Sequence, residues 1–216
     1  MDVLPRARTP ASEYFHSLLR SLPWPSVGAE EDKLVSVGFT SCLRREGVST
    51  FAVHAAVAAA SSGTHRVLLV DANLRNASLH KLLPVDRAPG FVDVMRDHCE
   101  LEDAVQPAYC DLSVMGAGEI DAEPDAVYGA TKRLHDLVAK LEDEFDLILF
   151  DLPPIGTSSV SLSLLGLLDG VILTVEAARV DWNVAARVRD RLHRAGIRLL
   201  GAALNHRRRR GPKWSP

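Results

Sequence analysis

At 216 residues, 47% hydrophobic and 25% charged, the chain can bury the core of one α/β domain and is short for two. A formal charge of −3 and an isoelectric point near 6.2 argue against a general nucleic-acid binder, whose footprint is a strongly basic face. Cys42, Cys99 and Cys110 are odd in number and lack paired metal-ligand spacing, which argues against a disulfide framework and for a reduced, cytoplasmic setting.

Residues 1–11 carry Pro5, Pro10 and scattered arginines but no apolar signal-peptide core, and they read as a loose leader. Ser12 can cap a helix over 12–22, where Tyr14, Phe15, Leu18, Leu19 and Leu22 fall at helical spacing; Pro23-Trp24-Pro25 stops it. That helix either packs on its own domain or makes a subunit contact. Leu34, Val35, Val37 and Phe39 then predict a buried parallel strand, residues 40–47 a tight loop, and residues 49–62 a helix ended by Gly63. His54, inside that helix, reads as a packed or interfacial residue.

Strand, loop and helix together outline a phosphate-binding loop, in which backbone N–H groups and a helix N-terminus cradle phosphate. In such loops a lysine after the last glycine reaches the β and γ phosphates, and the next Ser or Thr holds magnesium. Here the stretch reads Cys42-Leu43-Arg44-Arg45-Glu46-Gly47-Val48-Ser49-Thr50. Gly47, Ser49 and Thr50 stand where the pattern requires them, and Val48 occupies the lysine position. The missing contact is a charge-assisted hydrogen bond worth about 1.5 to 3 kcal/mol. Arg44 and Arg45 are long enough to turn back toward a bound phosphate. The phosphate-binding candidates are therefore Arg44, Arg45, Gly47, Ser49 and Thr50, for ATP or ADP with magnesium; the alternative is a strand-turn-helix corner that binds nothing.

Residues 66–70 predict a second buried strand, ending in Asp71-Ala72-Asn73-Leu74-Arg75. Ligand crevices of open α/β sheets lie at the carboxyl ends of strands, which places Asp71 and Arg75 for function; the alternative is that Asp71 caps the following turn. Short helices are expected over 76–83 and 91–97, a strand over 112–115 and a charged amphipathic helix over 125–141. Four apolar residues then lead into Asp151, the pattern of a Walker B strand whose carboxylate meets the magnesium shell, and Pro153-Pro154 stops it. The apolar stretch 160–175 is broken by Asp169-Gly170 and is too short on either side to cross a bilayer. Strands over 171–175 and 198–204 flank a helix over 182–195. Strands alternating with helices predict an α/β fold: a three-layer, doubly wound, mostly parallel sheet of the P-loop NTPase kind, with the domain over 12–205. The tail 206–216 contains Arg207, Arg208, Arg209 and Arg210, which are either a solvated run or a peripheral contact with anionic lipid at the inner membrane face.

These motifs together resemble the bacterial tyrosine kinases of capsule and exopolysaccharide synthesis, a branch of the P-loop ATPases akin to the chromosome-partitioning and septum-site ATPases. The likeness spans about residues 12–205. The family's loop reads Thr-Ser-Ala-Val-Pro-Gly-Glu-Gly-Lys-Ser-Thr, against Thr40 to Thr50 here, with Arg45 for a glycine and Val48 for the lysine. Its second motif, Asp-x-Asp-x-Arg-x-x-x-Leu-His, runs from Asp71 to His80, with Asn73 as the second acid. An amide cannot carry the charge or take the proton.

The resemblance implies Asp71 and Asp151 as catalytic residues, magnesium held by Ser49, Asp71 and Asp151, and Asn205 near the adenine. It implies as partner a membrane-bound polysaccharide chain-length (co-polymerase) protein or a related kinase, with no nucleic acid. The family's oligomerisation motif Glu-x-x-Arg-x-x-Arg aligns with Glu13, His16 and Leu19, and the family's C-terminal tyrosine cluster is replaced by arginines. The leading expectation is a degenerate, kinase-like regulatory or scaffolding domain. The alternatives are a working ATPase or kinase in which an arginine replaces the lysine, and a partitioning-type ATPase, a group that usually carries a loop lysine at the Leu43 position.

Overall fold

The computed structural model describes residues 34–120, 126–155 and 162–205, together with Phe15 and Ser17. Seven strands form one sheet: β1 Ser36–Ser41, β2 Val67–Asp71, β3 Val105–Pro107, β4 Leu112–Met115, β5 Leu147–Asp151, β6 Gly170–Glu176 and β7 Leu199–Asn205. Their order is β3-β4-β2-β5-β1-β6-β7. Every ladder is parallel except β3 with β4.

The apolar runs explain why these segments pair. Successive side chains of a strand point to opposite faces, so β2 sends Val67 and Leu69 into one core and Leu68 and Val70 into the other; β5 divides Leu147 and Leu149 from Ile148 and Phe150 in the same way. Both faces are therefore covered, which is the three-layer arrangement expected. One layer is helix α1, Val48–Ala60, whose alanines let it lie close on the sheet. On the opposite face Gly38 of β1 makes room for close packing, because a Cβ there would meet Leu152 Cδ1 at 2.6 Å.

The remaining helices are α2 Leu79–Leu82, α3 Phe91–Met95, α4 Leu101–Ala104, α5 Ala126–Gly129, α6 Thr131–Glu144, α7 Leu162–Leu165 and α8 Trp182–Arg194. Two sequence expectations need correction. The helix expected over 125–141 is two helices, because the backbone leaves helical geometry at Ala130 (ψ 61°) just after Gly129. The helix expected over 76–83 shrinks to α2, preceded by a 3-10 turn at Leu74–Asn76. Its first turn is lost because the backbone leaves helical geometry at Ala77 (ψ 132°) and Ser78 (φ −145°), and the Asp71 carboxylate then accepts from the N–H groups of Ser78 and Leu79 at the start of α2. The sequence reading also omitted α4, α7 and β3, whose Pro107 sits on the edge strand, where a missing N–H is tolerated.

Of the helix expected over 12–22, only Phe15 and Ser17 lie among the described residues. The Phe15 ring stacks on His54 (centroids 5.3 Å) and meets Phe51 edge-on at 4.8 Å, so His54 is packed, as expected. Glu13, His16 and Leu19, the leader 1–11 and the tail 206–216 lie outside the described residues. Among the described residues no helix is long and apolar enough to cross a membrane.

Candidate functional site

A cleft of about 360 Å³ opens at the carboxyl ends of β1, β2 and β5, lined by the loop after β1, the turn after β2 and residues 152–154. Gly47, at φ 81° and ψ 23°, turns the chain into α1. This left-handed geometry is open to glycine at little cost. Ser49 and Thr50 occupy the first turn of the helix and line the cleft, so a helix N-terminus faces it as in an anion site.

Val48 also borders the cleft, but its side chain is 7% exposed and packs into the core around α1. The lysine position thus brings packing and no cation. Positive charge comes instead from Arg44, Arg45 and Arg75, all of which line the cleft. Arg45 holds φ 66°, a conformation costing a side-chain-bearing residue about 1 to 2 kcal/mol.

The loop is held in shape by a residue that sequence reasoning missed. Glu46 is fully buried. Its Oε2 accepts from Leu43 N at 2.6 Å and its Oε1 from Glu176 N at 2.9 Å, while its carbonyl accepts from Asn205 Nδ2 at 2.9 Å. Arg179 Nη1, paired with Glu176 Oε2 at 2.7 Å, donates to the Arg45 carbonyl at 3.3 Å. The ends of β6 and β7 therefore clamp the loop, and Asn205, expected near an adenine ring, has its carboxamide on the loop backbone. Nothing in a glutamate between Arg45 and Gly47 signals this, because the donor at Glu176 lies 130 residues away. Burial, with the Glu46 carboxylate adding to it, pushes the Cys42 thiol up to about 11, so the thiolate is scarce near neutral pH.

Asp71 and Asp151 close the base of the site from paired positions on β2 and β5, and both are fully buried. Asp71 accepts from Ser78 N at 2.8 Å, Leu79 N at 3.0 Å and Asn73 N at 3.3 Å. Burial raises its carboxyl above the ordinary range, and those three donors oppose the rise. Neither Asp151 oxygen has a hydrogen-bond partner. Burial first, and the Asp71 carboxylate second, push the Asp151 carboxyl well above the ordinary range, while the nearby Ser49 hydroxyl pulls the other way. Pro153, which ends this strand, is pinned beside the loop by Thr40 Oγ1 donating to its carbonyl at 2.7 Å.

Such an arrangement suits a phosphate with its metal. An orphaned buried carboxylate costs free energy until a proton or cation meets it, and Asp151 stands below a helix N-terminus bearing Ser49. Among the described residues no three His, Cys, Asp or Glu side chains form a metal cage of their own, so an ion here would draw its other ligands from a phosphate and water.

The pattern of the family described as ATPase MipZ matches residues 44–201. The chain belongs to that family of P-loop ATPases. Its relatives include bacterial tyrosine kinases: it is 29% identical to tyrosine-protein kinase YwqD of Bacillus subtilis over 90% of this chain and 80% of the relative. Among solved structures, the kinase domain of VpsO superposes with a TM-score of 0.79 at 26% identity, covering 92% of this chain and 93% of that one. The septum site-determining protein MinD of Pyrococcus horikoshii, solved with Mg-ADP, superposes at 0.65 with 26% identity, covering 78% and 68%. The resemblance to the bacterial tyrosine kinases and the doubly wound P-loop fold are both borne out.

Proposed function

We propose that this chain is a kinase-like regulatory domain of capsule or exopolysaccharide synthesis and export, retaining the phosphate-gripping scaffold but not phosphoryl transfer. The observation that carries the reading is the pairing of Val48 with Asp71. The position that should bring a cation to the phosphates is buried apolar surface, and the carboxylate that should take a proton from a hydroxyl accepts three backbone N–H bonds. Those donors take three of the roughly four lone-pair sites of the carboxylate, and a general base needs one within reach of the hydroxyl. Asn73 adds no second carboxylate.

In this reading residues 12–205 are the working domain between a leader (1–11) and a basic tail (206–216). The partner is a membrane-bound polysaccharide chain-length protein or a related kinase. Where ATP or ADP binds, Gly47, Ser49 and Thr50 hold phosphate beside Arg44 and Arg45, and Ser49 and Asp151 hold magnesium, which supplies charge neutralisation.

Calorimetric titration with Mg-ATP and a phosphate-release assay test the proposal. The expected result is no turnover by the native chain and tighter binding after Val48→Lys. ATP hydrolysis that disappears in Asp151→Asn would overturn it. A second reading, an arginine-gripped working ATPase, draws support from the three cleft arginines and the unpartnered Asp151; it predicts binding by the native chain that is lost in Arg44→Ala/Arg45→Ala.

A further inference from the structure

Among the described residues the exposed large apolar side chains are Leu43, Tyr109, Trp182 and Leu204. Three of these four belong to one corner. Leu43 is in the loop after β1, Trp182 opens α8 after β6, and Leu204 is the penultimate residue of β7. Since β1, β6 and β7 are successive parallel neighbours, these segments leave the same end of the sheet. Direct contacts join them: Ala177 N donates to the Asn205 carbonyl at 2.9 Å, Asn205 Nδ2 to the Glu46 carbonyl at 2.9 Å, and Arg179 to the Arg45 carbonyl at 3.3 Å. Trp182 is 75% exposed and Leu204 54%.

Basic residues are concentrated late in the sequence: residues 176–216 carry eleven of the 25 lysines and arginines and three of the 28 acidic residues, although the whole chain is net negative. Arg44, Arg45 and Arg179 are exposed at the corner, and Arg187 and Arg189 are exposed along α8. The sequence then continues from Asn205 to Arg207, Arg208, Arg209 and Arg210.

We infer that this corner docks on an anionic lipid bilayer. An acidic protein segment or a duplex nucleic acid would meet the arginines with its charges, and a single strand could also stack on the indole, but none of them offers an apolar layer for two exposed leucines beside it. A bilayer surface uses both: headgroup phosphates pair with guanidinium groups, while tryptophan and leucine enter the boundary below them. The acidic remainder of the chain is repelled by the same surface, which orients the corner toward it. Docking sits next to the cleft, because Arg45 belongs to both, and so places the loop beside the membrane. The inference does not depend on whether the cleft turns over nucleotide.

The test uses the full chain with Trp24→Phe and Trp214→Phe, leaving Trp182 as the only indole. It is mixed with vesicles of phosphatidylglycerol and phosphatidylcholine, or of phosphatidylcholine alone. The expected result is co-sedimentation with the anionic vesicles only, a blue-shifted Trp182 emission quenched by brominated lipid, and at least about tenfold weaker binding on raising salt from about 0.1 to 0.5 M. Trp182→Ala with Leu204→Ser should weaken binding at least about tenfold without lowering the melting temperature. Quenching on the unaltered corner is read independently of that variant's folding. Absence of co-sedimentation, absence of quenching, or full binding by the double variant would overturn the inference, the last meaning that the tail arginines act alone. So would binding to DNA or polyglutamate as tight as to vesicles.

Discussion

Asp71 and Asp151 are Cα partners across the parallel β2–β5 ladder, and the two carboxylates share one buried site unequally: three backbone donors converge on Asp71 and none on Asp151. Asp71 is built into the turn that follows it. Asp151 is the group whose protonation, or whose meeting with a cation, the fold leaves open.

That asymmetry sets a pH dependence. The folded chain holds the Asp151 proton to a higher pH than the unfolded chain does, so its contribution to stability is present below the ordinary carboxylate range and is lost as pH rises through the elevated folded value. Asp151→Asn should remove this loss and stabilise the protein at pH 7 by about 2 kcal/mol, or about 4 to 8 °C in Tm. Thermal melts of both proteins from pH 4 to 8 check it; curves that stay parallel across the range would refute the assignment.

Glu46 should behave as the keystone of the loop. Glu46→Ala leaves the N–H groups of Leu43 and Glu176 without their acceptor, an expected loss of about 2 to 3 kcal/mol. Glu46→Gln keeps one accepting oxygen and should lose less. Urea unfolding gives the stabilities, and faster amide exchange at Leu43 and Glu176 in the alanine variant reports the loosened clamp.

Arg45 should be replaceable with a gain. Glycine relieves the cost of a side chain at φ 66°, and the greater freedom of its unfolded chain returns part of that, leaving Arg45→Gly more stable by about 0.5 to 1 kcal/mol. A shift of the urea midpoint at constant slope measures it. If Arg45 also grips phosphate, Mg-ATP binding falls in the same variant.

Tyr128, 2% exposed, donates its hydroxyl to the Ala72 carbonyl just beyond β2. Tyr128→Phe should cost about 1 to 2 kcal/mol, since the ring still packs but a buried carbonyl loses a donor. Chemical denaturation measures the loss; an unchanged midpoint would mean that the carbonyl finds another donor.

Much of the architecture could be read directly. The apolar runs ending in Asp71 and Asp151 are strands at nearly the expected bounds, Leu112–Met115 is a strand as expected, and Gly47, Ser49 and Thr50 line the cleft. These succeeded because burial on both faces of a parallel sheet demands unbroken apolar segments. Segments of three to five residues such as β3, α4 and α7 went unseen, because no periodicity registers over so short a span. The break at Ala130 failed for another reason: the amphipathic pattern runs through it unaltered.

By itself the sequence determined the six parallel strands, the phosphate-loop outline and the absence of a lysine after Gly47, since each follows from the type and order of neighbouring residues. Only the tertiary structure decided that Glu46 points inward, that Asn205 holds the loop, and that Asp71 is hydrogen-bonded while Asp151 is not. Those outcomes depend on which donors the distant strand ends bring within about 3 Å, and a buried carboxylate's state is set by such donors rather than by its place in a motif.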